Sequence, residues 1–265
     1  MSEAPTYSSY LKLEELLELQ KPLSDGPEHD EMLFIIIHQV YELWFKEILH
    51  EIDYACLLMV RGYRPRVLHT LKRVLTVLKV LVAQLDILET MTPIECLSFR
   101  ARLKDASGLQ SFQFREREYV LGRKDPGALE RFPEGSSSRA KLEERFEAST
   151  LWDAFIRYLE TEGLAVPTAQ LSRDVTQSVA LSEEVQDVLL QAYRTHQGVA
   201  SVCERLVDLD EGLQEWRYRP LKMVERTVRH ETRNGWIHGR AVPSRHAQPA
   251  RVPGSLGDPE SALEE

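Results

Sequence analysis

The stretch His29–Glu51, HDEMLFIIIHQVYELWFKEILHE, constrains the fold of this 265-residue chain more than any other. Met32, Leu33, Phe34, Ile35, Ile36 and Ile37 follow one another without a polar residue between them. On a helix such a run covers more than one face, so the helix has to sit at the centre of a bundle rather than on its surface. Asp30 is a fitting N-cap, and Glu31 suits the positive end of the helix dipole. The expected helix continues past Ile52 to about Val60, where Gly62–Pro65 turns the chain. His38 comes four residues after Phe34, which puts the two rings on one face, a turn apart. An aromatic plate beside an imidazole, inside apolar walls, suits a flat heteroaromatic ligand. It equally suits a histidine that is only hydrogen-bonded in a core, and spacing leaves both readings open.

Around that helix the periodicity is helical throughout. Leu11, Leu13, Leu16, Leu17 and Leu19 predict a short amphipathic helix over Tyr10–Gln20, ended by Pro22 and Pro27. Arg66–Thr90 carries a sustained stripe, Val67, Leu71, Val74, Leu75, Leu78, Leu81, Val82, Leu85 and Leu88, and reads as a long antiparallel partner for the central helix. Short helices are expected over Ile94–Leu103 and Phe112–Leu121, then a Gly-, Pro- and Ser-rich loop over Arg123–Ser138. Arg139–Gly163 is a helix or pair, and Leu181–Val207 and Leu209–Val228 close the series. No period-two pattern interrupts, so the class is all-α, a single-domain helical bundle over residues 1–228. Residues 229–265 differ in kind: Pro243, Pro249, Pro253 and Pro259 with little apolar periodicity make an irregular tail.

Composition excludes several classes. A net charge of −9 argues against broad nucleic-acid binding and against an anionic membrane surface. Cys56, Cys96 and Cys203 are odd in number and lack metal-type spacing, which points to a reducing cytoplasm and no disulfide framework. The start of the chain does not read as a signal peptide, and no apolar run reaches membrane-spanning length. There is no phosphate loop, no CxxC pair and no HExxH motif. Arg100 lies among the apolar Leu97 and Phe99 on a short helix. There it either needs a carboxylate partner or snorkels to water, and the sequence leaves that open.

HDEMLFIIIHQVYELWFKEILHE resembles the tryptophan 2,3-dioxygenase family, haem enzymes that open the indole ring of L-tryptophan with O2. YSSYLKLEELLELQKPLS, LETMTPIECLSFRARL, ASGLQSFQFREREYVLGRK and SVCERLVDLDEGLQEWRYR resemble further blocks of it in order, over roughly Thr6 to Thr227. The resemblance implies a bundle of the haem-dependent dioxygenase type, haem b as cofactor, L-tryptophan and O2 as substrates, and N-formylkynurenine as product. It implies that Phe34 packs on the indole and that His38 accepts the indole N–H as the catalytic residue. Ile35, Ile36 and Ile37 would line the same substrate pocket, with Cys96 four residues before Arg100. Arg100 would clamp the substrate carboxylate, and the loop Ser107–Gln113 would line the haem. Tyr10 and Leu11 would reach into a neighbouring subunit's pocket in a homotetramer.

The chain also departs from that pattern. After WRYR the family has the histidine that ligates the haem iron, and here the residue is Pro220, which leaves no certain metal ligand. His230 and His238, in the tail, are the nearby substitutes. Cys96 replaces Tyr or Phe, Leu109 replaces Phe, and the family's Gly-Thr-Gly-Gly-Ser-Ser-Gly loop is missing. Read one base later, codons for Arg229 through Arg245 permit G-T-R-R-G-T-G-G-S-T-G-A followed, one residue on, by Y-L-R. The tail is therefore expected to be a frameshifted remnant, and the bases of the gene decide it. Three functions compete on these residues: a haem dioxygenase, a relative that binds tryptophan or indole without turnover, and a subunit that only assembles.

Overall fold

The chain is organised on α3, Asp30–Val60, whose buried residues Ile37, Tyr41, Phe45, Ile48, Ile52, Ala55 and Met59 recur at every third or fourth position. The structure, a computed structural model, describes residues 4–24, 26, 28–103 and 110–233; for residues 93, 100, 101, 220, 221 and 223–233 it gives the helical backbone alone. Tyr63 N donates to Leu58 O at 3.0 Å and Gly62 N to Met59 O at 2.9 Å, closing α3 with a Schellman-type turn. Gly62 takes φ +69°, which only glycine adopts without strain, and a Cβ there would lie 3.3 Å from Thr161 Cγ2. So short a turn makes α4, Arg64–Leu88, antiparallel to α3, and its Val67, Leu71, Val74, Leu78, Leu81 and Leu85 are the facing stripe. α8, Leu151–Thr161, packs on α3 as well, and α11, Gln197–Arg233, packs along α4.

The remaining helices fill in around this centre. They are α1 (Tyr7–Leu11), α2 (Leu13–Leu17), α5 (Pro93–Leu103), α6 (Phe112–Val120), α7 (Ser137–Glu147), α9 (Thr168–Leu171) and α10 (Glu183–Thr195), with a 3-10 turn at Pro126–Arg131. No strand occurs among the described residues, and none of their helices is long and apolar enough to cross a membrane. The all-α expectation is met.

Four local expectations are corrected. Asp30 is not the N-cap of α3; His29 holds that position without a side-chain cap bond, and Asp30 sits in the first turn. The single helix expected at Tyr10–Gln20 is two, split at Lys12, whose φ of 53° is left-handed. Neither piece buries a residue, so no packing face keeps them in line. The break expected near Asp208 falls instead at His196, because Val199, Val202, Leu206, Leu209 and Leu213 form one unbroken buried stripe. α11 also runs through Arg229–Arg233, while the rest of the proposed tail lies outside the described residues.

Lys124 shows how a loop is fixed to this frame. Its Nζ donates to the carbonyls of Arg145, Phe146 and Ala148 at 2.7, 2.8 and 2.9 Å, at the end of α7. Those acceptors have no helical donor, and the ammonium supplies three. Lys124→Met keeps the stem and leaves the carbonyls unmet, so chemical denaturation is expected to show a loss of about 3 kcal/mol.

Candidate active site

Phe34 and His38 stack with ring centroids 4.0 Å apart and planes tilted by 36°. Helical spacing brings them together, and a third ring fixes them: Phe99 of α5, fully buried, lies 5.4 Å from Phe34. The imidazole is oriented as well. His38 Nδ1 is 2.7 Å from the Phe34 carbonyl oxygen, a bond in which the nitrogen donates. Nε2 is then the unprotonated nitrogen and an acceptor. Burial lowers the His38 pKa below its ordinary 6.5, against the Phe34 carbonyl and the Glu42 carboxylate, which both raise it.

Glu42 is itself held in place one turn further along. Gln113 Nε2 donates to its carbonyl oxygen at 2.9 Å and to its Oε2 at 2.7 Å, tying α6 to α3 beside the ring pair. Of the loop expected at Ser107–Gln113, residues 107–109 lie outside the described residues, and Gln113 contributes through Glu42.

Not every expected residue joins this site. Ile35, Ile36 and Ile37 cannot share a face, being consecutive on a helix: Ile37 is buried in the core, Ile35 is half-buried and Ile36 is exposed. Cys96 is half-buried on α5 and packs against the core. Arg100 follows one turn later on the same helix, with its side chain outside the described residues. Tyr10 and Leu11 are exposed on and at the end of α1 and meet nothing in this chain's site. Pro220 falls inside α11, one turn after the buried Trp216. Among the described residues no group of three or more His, Cys, Asp or Glu side chains could hold a metal ion. Cys56 and Cys203 are pushed up to about 12 by burial, so both thiols stay protonated.

Comparison with known proteins identifies the family. The family model for tryptophan 2,3-dioxygenase matches residues 1–130, a span that holds Phe34, His38, Cys96 and Arg100 and stops short of α11. The tryptophan 2,3-dioxygenase of Herpetosiphon aurantiacus is 53% identical over 241 residues, 91% of this chain and 92% of that protein. The chain belongs to the tryptophan 2,3-dioxygenase family. Tryptophan 2,3-dioxygenases of an Anaeromyxobacter species and of Caulobacter vibrioides are 51% and 44% identical, each over 86% of this chain and over 84% and 87% of their own lengths.

Sequence reading alone missed Glu42 as a support beside the ring pair, named Gln113 only as the end of a loop expected to line the haem, and treated Phe99 only as a neighbour of Arg100. Glu42 had one available signal, since it follows His38 by four residues on the same helix.

The depressed His38 pKa has a measurable consequence. Nε2 accepts a ligand N–H only while the imidazole is neutral, so indole affinity is expected to be flat above pH 6.5 and to fall below it. The same sign applies to folding. A folded pKa below the unfolded one gives stability that is present above pH 6.5 and is lost as pH drops through the folded value. Calorimetric titration with indole across that range checks the first statement, and His38→Ala should flatten the profile.

Proposed function

We propose that this chain binds L-tryptophan at the Phe34–His38 ring pair for O2-dependent opening of the indole ring to N-formylkynurenine. The observation that supports it most is the Nδ1–H bond to the Phe34 carbonyl, which presents His38 Nε2 as an acceptor beside an aromatic face. Phe34 gives the indole a ring to pack on, Nε2 takes its N–H, and Arg100 pairs with the substrate carboxylate. Gln113 and Glu42 keep the imidazole side of the pocket from drifting. A homotetramer agrees with the exposed Tyr10 and Leu11 on the N-terminal arm, and the cytoplasm agrees with three free cysteines.

Haem b is the cofactor that the family implies, and it would supply the oxygen chemistry. The substrate side of this site fits the proposal; the iron-ligand side does not. Position 220 is proline, which has no free nitrogen lone pair to give to iron, and α11 runs straight across it. This favours a second reading, in which the chain holds tryptophan without turning it over. Two measurements separate them. An absorption spectrum taken after adding haemin to the purified chain shows a Soret band if the iron is ligated. Calorimetry with L-tryptophan shows binding if either reading is right, and Phe34→Ala should abolish it. A chain that ignores both haemin and L-tryptophan sinks both readings and leaves only assembly.

A further inference from the structure

Glu31 is almost wholly buried, at 1% exposure, and the charge of Arg102 on α5 acts on its carboxylate. It reaches across to the strap between α2 and α3. Leu23 N donates to its Oε1 at 2.7 Å, Ser24 N donates to its Oε2 at 3.0 Å, and Ser24 Oγ donates to that same oxygen. The strap is then tied onward. Leu23's carbonyl accepts from Arg102 Nη1 of α5 at 3.2 Å, two residues beyond Arg100. At its other end Gln20 Nε2 donates to Gln39 Oε1 at 2.5 Å, and Gln39 Nε2 donates to Leu19 O at 3.2 Å; Gln39 is the neighbour of His38.

Three segments that carry expected site residues are therefore tied together through the strap at Leu23–Ser24. The strap continues from the arm with Tyr10 and Leu11, α3 carries Phe34 and His38, and α5 carries Cys96 and Arg100. Leu23 itself is exposed and buries little apolar surface, so the strap is not held by packing. Its backbone donors need acceptors, and an ionised carboxylate is the strongest one a side chain can offer.

We infer that Glu31 is a positioning residue, a latch that fixes the strap at Leu23–Ser24 and through it sets α5 against the Phe34–His38 face. The inference rests on the reading that this face and Arg100 form the tryptophan site. Because Arg102 is the strap's link to α5, releasing the latch shifts the carboxylate clamp more than the ring pair. L-tryptophan should suffer, and indole, which lacks a carboxylate, should not.

The test uses the full chain and two readouts. Amide hydrogen exchange at Leu23 and Ser24 is expected to be slow in the wild type and faster by about tenfold or more in Glu31→Gln, which loses one acceptor oxygen. Calorimetry should show L-tryptophan weakened by about tenfold and indole changed by less than about twofold. Ser24→Ala, which removes one donor and leaves the carboxylate, should give the same pattern at smaller size and guards against misfolding of the first variant. Glu51→Gln alters another buried carboxylate of α3, paired with Arg73 at 2.5 Å, and should leave the tryptophan-to-indole ratio unchanged. Unchanged exchange in Glu31→Gln overturns the latch. Faster exchange with both affinities unchanged, or an equal loss of both ligands, overturns the positioning role. A wild-type chain that does not bind L-tryptophan overturns the site reading, while the exchange result still decides whether the latch exists.

Discussion

Pro220→His is expected to turn a chain that takes up haemin poorly into one with a sharp Soret band, and to raise its melting temperature. Two separate physical effects act at this position. The first belongs to the helix. α11 is continuous from Gln197 to Arg233, and Pro220 sits well inside it. A proline there removes one N–H from the ladder, leaves the Trp216 carbonyl without its donor and crowds the preceding turn, at a cost of about 3 kcal/mol. Restoring an ordinary residue should recover most of that, or about 6–12 °C in melting temperature for a chain of this size. The second belongs to the ligand. Only an imidazole adds a nitrogen able to bind iron. Pro220→Ala separates the two: it should give the thermal gain and no Soret band, while the histidine variant gives both. A strong Soret band in the wild type that the histidine variant leaves unchanged would mean that iron is held by another group, and the assignment of position 220 would be wrong.

How much of this was legible in the sequence depended on the kind of interaction. The buried faces of α3 and α4 were readable because apolar spacing decides them: Val67, Leu71, Val74, Leu78, Leu81 and Leu85 are both the expected and the observed stripe. The Phe34–His38 pair was readable for the same reason, since four-residue spacing stacks side chains on any helix. Helix ends were read less well. The stop expected near Asp208 gave way to the continuous buried stripe through Leu206, Leu209 and Leu213. Polar contacts between distant segments were not legible at all. Gln113 meets Glu42 across 71 positions and Arg102 meets Leu23 across 79, and no local pattern encodes such partners. Glu31 shows this most plainly. As a sequence position it is a favourable charge at a helix start; in the fold it is a buried acceptor for a strap that the pattern of leucines did not reveal.

Arg117→Ala is expected to cost about 4 kcal/mol, and Arg117→Met no more than about 1. Arg117 lies on α6 at 2% exposure, inside a cage of three rings on three helices. Its guanidinium carbon is 5.2 Å from the Phe45 ring centre, 4.7 Å from Phe114 and 4.5 Å from Trp216. Phe45 and Trp216 meet edge to face at 5.5 Å, so the cage is continuous between α3 and α11. The cation sits uneasily in it. Its Nη1 has no hydrogen-bond partner among the described residues, and Glu118 beside it is already shared by Arg115, Arg123 and Arg217. Burial pushes the Arg117 pKa down to about 9, with the neighbouring Arg217 adding to the shift and Glu118 opposing it. At neutral pH the group is charged both folded and unfolded, so the native state carries the full cost of a buried charge, and stability rises with pH only above about 9. Alanine empties the cage, leaving a cavity between α3, α6 and α11 just before position 220. Methionine fills most of the volume, keeps contact with the rings and removes the charge, so the gap between the two variants measures packing. Urea denaturation of both reads that gap. If methionine proves as damaging as alanine, the guanidinium is held by its charge, and the rings serve as a cation site rather than as packing that tolerates one.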